Sequence, residues 1–126
     1  MATAVRFTYQ DYLQLPEDRR HEIVNGELYM VPAPTPAHQA ILRNLEFALH
    51  RYVIGADLGI VLQAPCDVLL SAEDVVQPDV FFISKDRQAI IKEHYIDGAP
   101  DLVVEILSPA TAARDRGVKL KLYERA

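Results

Sequence analysis

The best-marked periodicity begins at Ala37, where Ile41, Leu42, Leu45, Ala48, Leu49, Tyr52 and Val53 recur at helical spacing opposite Arg43, Asn44, Glu46, His50 and Arg51. Gly55 closes the run, so one long helix is predicted there. Upstream, Thr8 followed by Asp11 reads as an N-cap with an acidic first turn. Tyr9 to Leu15 is then a short helix, stopped by Pro16 and packed as a lid on the core. Asn25-Gly26, between Glu22-Ile23-Val24 and Glu27-Leu28-Tyr29-Met30, predicts a tight β-hairpin. Pro32, Pro34 and Pro36 hold the next segment extended.

After Gly59 the pattern changes to that of strands. Gly59 to Leu70 is strand-like but interrupted at Pro65, which makes it either two strands or one with an irregularity. Ser71 to Asp74 turns the chain into a second apolar run, Val80-Phe81-Phe82-Ile83, which Pro78 opens and Asp79 heads. Lys85 to Asp97 is polar and mixed, a short helix or a surface excursion. Leu102 to Leu107, rich in branched aliphatics and set between Gly98-Pro100 and Pro109, reads as a buried strand. A last helix starts at Ser108-Pro109 or later with Asp115 as cap, the later start placing Lys119 in or near the first turn. The whole is an α/β pattern.

Composition narrows the class. A length of 126 residues fits one domain over 1–126, with 50% hydrophobic and 25% charged residues, the balance of a folded globular chain. No apolar run approaches the roughly 18 residues that span a bilayer, and Met1 to Arg6 carries no secretory h-region, so a cytoplasmic protein with no membrane partner is expected. Cys66 is the one cysteine, and its setting between Pro65 and Asp67 matches no metal or redox spacing; it reads as a packed residue. A net charge of −5 argues against nonspecific adhesion to nucleic acid as the main activity. It leaves room for a carboxylate site whose charge a metal offsets. No Gly-rich phosphate loop, zinc spacing or Gly-x-Ser-x-Gly elbow is present.

Glu105 is the anomaly in its run. A carboxylate among Val103, Val104, Ile106 and Leu107 loses hydration on folding and needs pairing, hydrogen bonds or a metal. By strand alternation Asp79 shares a face with Phe81 and Ile83, and Glu105 with Val103 and Leu107, so neighbouring strands would bring both carboxylates to one sheet edge. Two carboxylates there repel unless a cation lies between them, and hard oxygen ligands suit Mg2+ or Mn2+. The plain readings stay open: Asp79 opening its strand after a proline, Glu105 exposed or held by a buried arginine.

Pro78-Asp79 followed by Glu105-Ile106-Leu107 is similar to the Pro-Asp…(Asp/Glu)-x-Lys signature of the restriction-endonuclease-like, or PD-(D/E)xK, nucleases. The ordered set of Glu22 to Glu27, the Pro-rich turn before His38-Gln39, Pro78-Asp79, Glu105 to Thr111 and Arg114 to Tyr123 resembles one bacterial branch of that superfamily, known as the putative restriction endonuclease family. The resemblance implies a mixed β-sheet flanked by helices, with an N-terminal hairpin. It also implies a further strand after the last helix, beyond Ala126, so either the chain is a fragment or its sheet is incomplete, and apolar surface is expected at that helix or at a sheet edge.

The activity so implied is Mg2+- or Mn2+-dependent hydrolysis of phosphodiesters in DNA by a homodimer. Asp79, Glu105 and the Ile106 carbonyl would hold the metal. The signature lysine position is Leu107, so Lys119, on one helix face with Asp115 and Tyr123, is the expected substitute. Its replacement by alanine is then expected to abolish cleavage at little cost in stability. Glu22, Glu27 and His38 match the family pattern as auxiliary residues, although hairpin glutamates are usually exposed. The rivals are an inactive nuclease fold that binds DNA or protein, and a structural oligomerisation domain.

Overall fold

Asn25 and Gly26 both take positive φ (53° and 77°), the geometry of a two-residue hairpin turn. They join β1 (His21–Val24) to β2 (Glu27–Met30), with His21 opposite Met30. The computed structural model describes residues 5–126, so most of the Met1 to Arg6 stretch read above for a leader lies outside the described residues. Helix α1 (Tyr9–Tyr12) is shorter than expected, but Thr8 and Asp11 form the reciprocal capping box that their spacing suggested. No residue of α1 is buried. Helix α2 (Pro36–Gly55) follows, with the Thr35 hydroxyl accepting from the His38 N–H at 3.1 Å and Pro36 in its first turn. Its apolar face, Leu42, Leu45, Leu49 and Val53, packs on Val61 and Val80.

The strand-like run around Pro65 is two strands, β3 (Gly59–Gln63) and β4 (Val68–Ser71). They form one side of a long bent hairpin whose other side is β5 (Asp74–Val76) and β6 (Val80–Ser84). The bend falls at Pro65 on one side and at Gln77-Pro78-Asp79 on the other, where the Ala64 N–H reaches the Asp79 carbonyl at 3.1 Å. Below the bend β4 and β5 belong to a five-stranded sheet, β2-β1-β5-β4-β7, with β7 (Ile96–Asp97) parallel to β4. Above it β3 and β6 join β8 (Leu102–Val104) in a three-stranded sheet, β3-β6-β8. The hairpin therefore welds the two sheets, and Asp79 sits at the joint.

Gly59 is required where β3 starts: its φ is +152°, and a Cβ there would fall 2.2 Å from the Ile83 carbonyl oxygen. Lys85–Ile90 forms a short 3-10 helix, so the surface excursion does contain helix, while β7 was not anticipated. The last helix begins at neither expected place. It starts as α3 (Ala112–Arg114) after Thr111, widens to a π-helical stretch over Asp115–Lys119, and finishes as α4 (Leu120–Arg125). Lys119 thus lies beyond the first turn. The main core gathers Val24, Val68, Val76, Phe81, Ile83, Ile96 and Leu122 between sheets and helix, with half-buried Cys66 packed against it. β8 is an edge strand, and Leu102, Leu107, Val118 and Leu120 are exposed beside it and on the last helix.

Candidate active site

The β6 and β8 strands pair antiparallel with Val80 opposite Val104 and Phe81 opposite Val103, so Asp79 and Glu105 are the next positions in that register. Phe81 and Val103 pack in one core cluster, which fixes the face that the two carboxylates share. The ladder ends at Val104, three residues short of the Leu107 end of the apolar run, and no residue of that run is buried, because β8 is an edge strand. The Asp79 Oδ2 takes the Ile106 N–H at 2.7 Å, so the side chain captures a donor the ladder would have used, and Glu105 lies just past the strand. The other Asp79 oxygen, Oδ1, is 3.3 Å from His38 Nε2 on the first turn of α2.

Lys119 is the centre of the constellation, only 2% exposed. Its amine donates to Glu105 Oε1 at 2.8 Å and to the two oxygens of Glu22 at 3.2 and 3.0 Å, with Asp115 Oδ1 at 3.7 Å. Tyr123 donates its hydroxyl to the same Glu105 Oε1 at 2.8 Å. The π stretch places this lysine, since the widened turn ends at Lys119 and carries its side chain inward from between exposed Val118 and Leu120. Glu22 is buried because β1 runs between β2 and β5, and its Oε2 also accepts the Gln77 backbone N–H at 2.7 Å.

Burial pushes the Glu105 carboxyl up to about 7, against the pull of Lys119 and Tyr123. Burial likewise raises Asp115. For Lys119, burial works against the charge, but Glu22 and Glu105 more than offset it and lift the amine above the usual lysine range.

One cleft is lined by Glu22, His38, Asp79, Glu105, Ile106, Asp115 and Lys119 together. Of the residues singled out in the sequence, Tyr123 stands behind Glu105, and Glu27 is not brought in. Glu27 is exposed and accepts from the Tyr29 hydroxyl at 2.9 Å, as a residue at the outer end of an edge strand does. The expectation that Lys119 could be removed at little cost fails on its burial among carboxylates. Arg114, which opens the Arg114 to Tyr123 segment, also lines the cleft. Its guanidinium lies 5.0 Å from the Tyr29 ring centroid. The spacing of five from Lys119 points away from a shared face on an ordinary helix, and only the widened turn relates the two.

A family model described as Uma2, Putative restriction endonuclease, matches residues 9–126. The chain belongs to the Uma2 family. Among curated proteins, this Uma2 chain is 31% identical over 116 residues to an uncharacterized protein of Synechocystis, a match covering 90% of the chain and 60% of the relative. It therefore spans well under two-thirds of that relative's length. A crystallised chain from Anabaena variabilis, described as a putative nuclease, superposes with a TM-score of 0.77 at 20% identity, over 94% of the present chain and 68% of that one. The Uma2 domain accordingly has the mixed α/β, restriction-endonuclease-like nuclease fold. Among the described residues no helix is long and apolar enough to cross a membrane.

The donor set of this Uma2 site can be weighed against the metal the fold implies. Among the described residues no three His, Cys, Asp or Glu side chains are grouped to hold a metal. Asp79 and Glu105 form a two-carboxylate set, the kind magnesium uses with waters and substrate phosphate completing its shell. Lys119 and Tyr123 both donate to Oε1 of Glu105 and leave its Oε2 without a hydrogen bond among the described residues, so the residues present fit a cation.

Proposed function

We propose that this Uma2 domain is a divalent-metal-dependent endonuclease that hydrolyses phosphodiesters in DNA. The observation that carries the reading is the 2.8 Å contact of Lys119 with Glu105 in the cleft that Asp79 also lines. It supplies the lysine that the signature position, occupied here by Leu107, does not. Asp79, Glu105 and the Ile106 carbonyl would hold Mg2+ or Mn2+, and the Ile106 N–H keeps Asp79 aimed. Such an ion, when bound, supplies charge neutralisation at phosphate and a more acidic water. Lys119 and Tyr123 both donate to Oε1 of Glu105 and hold it in one orientation, and Glu22 holds Lys119. The domain would work as a homodimer through the open β8 edge, in the cytoplasm.

A second reading has one observation in its favour. Lys119 is tied to Glu22 as well as Glu105, an arrangement that also serves a fold whose chemistry is lost and which only binds DNA or protein. Incubating the protein with supercoiled plasmid and Mg2+ or Mn2+, against EDTA, separates the two. Nicking that needs the metal and vanishes in Asp79→Asn supports the nuclease, whereas plasmid left intact at every metal concentration, with a gel shift in EDTA, would leave the binding module.

A further inference from the structure

Among the described residues only two buried side-chain nitrogens or oxygens lack a hydrogen-bond partner, His38 Nδ1 and Arg114 Nε. Both side chains line the cleft that contains Asp79 and Glu105. Orphaned buried polar atoms are rare in folded proteins and call for an explanation, a water or a bound ligand among them.

Arg114 is the more telling. Its side chain is 17% exposed, and its terminal nitrogen comes no nearer than 3.7 Å to Glu22 Oε1, beyond hydrogen-bond distance. Tyr29 supports the guanidinium at 5.0 Å without taking any of its donors. The other buried cation of the cleft is differently placed, because an ammonium has three N–H donors and Lys119 directs them to Glu22 and Glu105 at 2.8 to 3.2 Å. Lys119 has no donor left for a ligand. Arg114 has a planar fork of donors, the geometry that matches two oxygens of a phosphate.

We propose that Arg114 binds a phosphate oxygen of a nucleic-acid backbone in this cleft. Its choice of DNA rests on the nuclease reading above; the capture of a phosphate oxyanion does not. The role belongs to Arg114 and not to Lys119, which acts on the carboxylates.

The test is an NMR titration of 15N-labelled protein, followed at the assigned Arg114 Nε–H, with inorganic phosphate in Mg2+ and separately with a short DNA duplex in EDTA. The expected result is a saturable shift of that signal with both. Arg114→Lys, which keeps the charge and loses the fork, should weaken both affinities about tenfold or more, the loss of one charge-assisted contact, and melt near the wild type. A signal that moves with inorganic phosphate alone would assign the site to free phosphate and overturn backbone binding. No movement with either, or equal affinity in Arg114→Lys, would mean that a water completes the guanidinium and would overturn the proposal outright. Should the lysine variant fail to fold, the wild-type signal still decides. DNA binding through Arg114 without cleavage in Mg2+ or Mn2+ would sink the nuclease reading and leave this one standing.

Discussion

Lys119 and Glu22, 97 positions apart in the chain, meet as a buried ion pair at 3.0 Å, with side chains 2% and 3% exposed. Glu105 completes the bridge at 2.8 Å. A lysine from the last helix thereby ties β1 of one sheet to the segment after β8 of the other.

Replacing Lys119 by alanine leaves Glu22 buried without its lysine partner and drives the Glu105 carboxyl, already raised by burial, further toward its neutral form. Removal of one partner from such a pair costs about 3 kcal/mol or more. Urea unfolding should register that loss, and Glu22→Gln added to Lys119→Ala should recover part of it. A single variant as stable as wild type would show that the amine contributes nothing to the fold.

The Glu105 carboxyl carries a definite pH signature. Its folded value, about 7, lies above the ordinary 4.5, so folding favours its protonated form. The group's contribution to stability is fully present below 4.5 and is lost as pH rises through about 7. Glu105→Gln, which imitates the protonated state, should therefore gain on wild type across that window. Melting curves of both proteins between those limits check it; a constant gap would mean that Glu105 does not titrate there.

Asp79→Asn keeps an oxygen to accept the Ile106 N–H and removes one negative charge. Stability should stay within about 1 kcal/mol of wild type. Binding of Mn2+, followed by calorimetry, should weaken at least about tenfold, equivalent to about 1.4 kcal/mol. Unchanged affinity would place the metal elsewhere.

Gly59→Ala should be the most damaging small substitution outside the cleft. The added methyl would meet the Ile83 carbonyl at 2.2 Å, and that oxygen belongs to the neighbouring strand and cannot rotate away. Soluble expression and circular dichroism would reveal the failure, and a normal melting curve would contradict the close approach.

The local signals were legible because they act over a few residues. Asn25-Gly26, the Thr8–Asp11 box, the long helix and the break at Pro65 all follow from neighbours in the chain. The face shared by Asp79 and Glu105 was legible too, since alternation fixes faces once β6 and β8 adjoin, each residue lying one position past the paired register. Glu22 was undervalued for a different reason. A hairpin glutamate looks exposed until β5, about fifty residues on, covers the free side of β1. Arg114 was hidden by the π stretch, which no periodicity announces and which alters what shares a face with what. The depth of Lys119 was missed on the same account.

The tie made by Lys119 also bears on how relatives of this domain can be judged. Selection for folding alone would hold Lys119 and Glu22 in place, because their loss strands a buried charge whatever the cleft does. A lineage that abandoned catalysis would keep both. Arg114 leaves its Nε without a partner inside the protein, so it would be the first to drift, and its fate in a descendant is the better record of whether the chemistry survived.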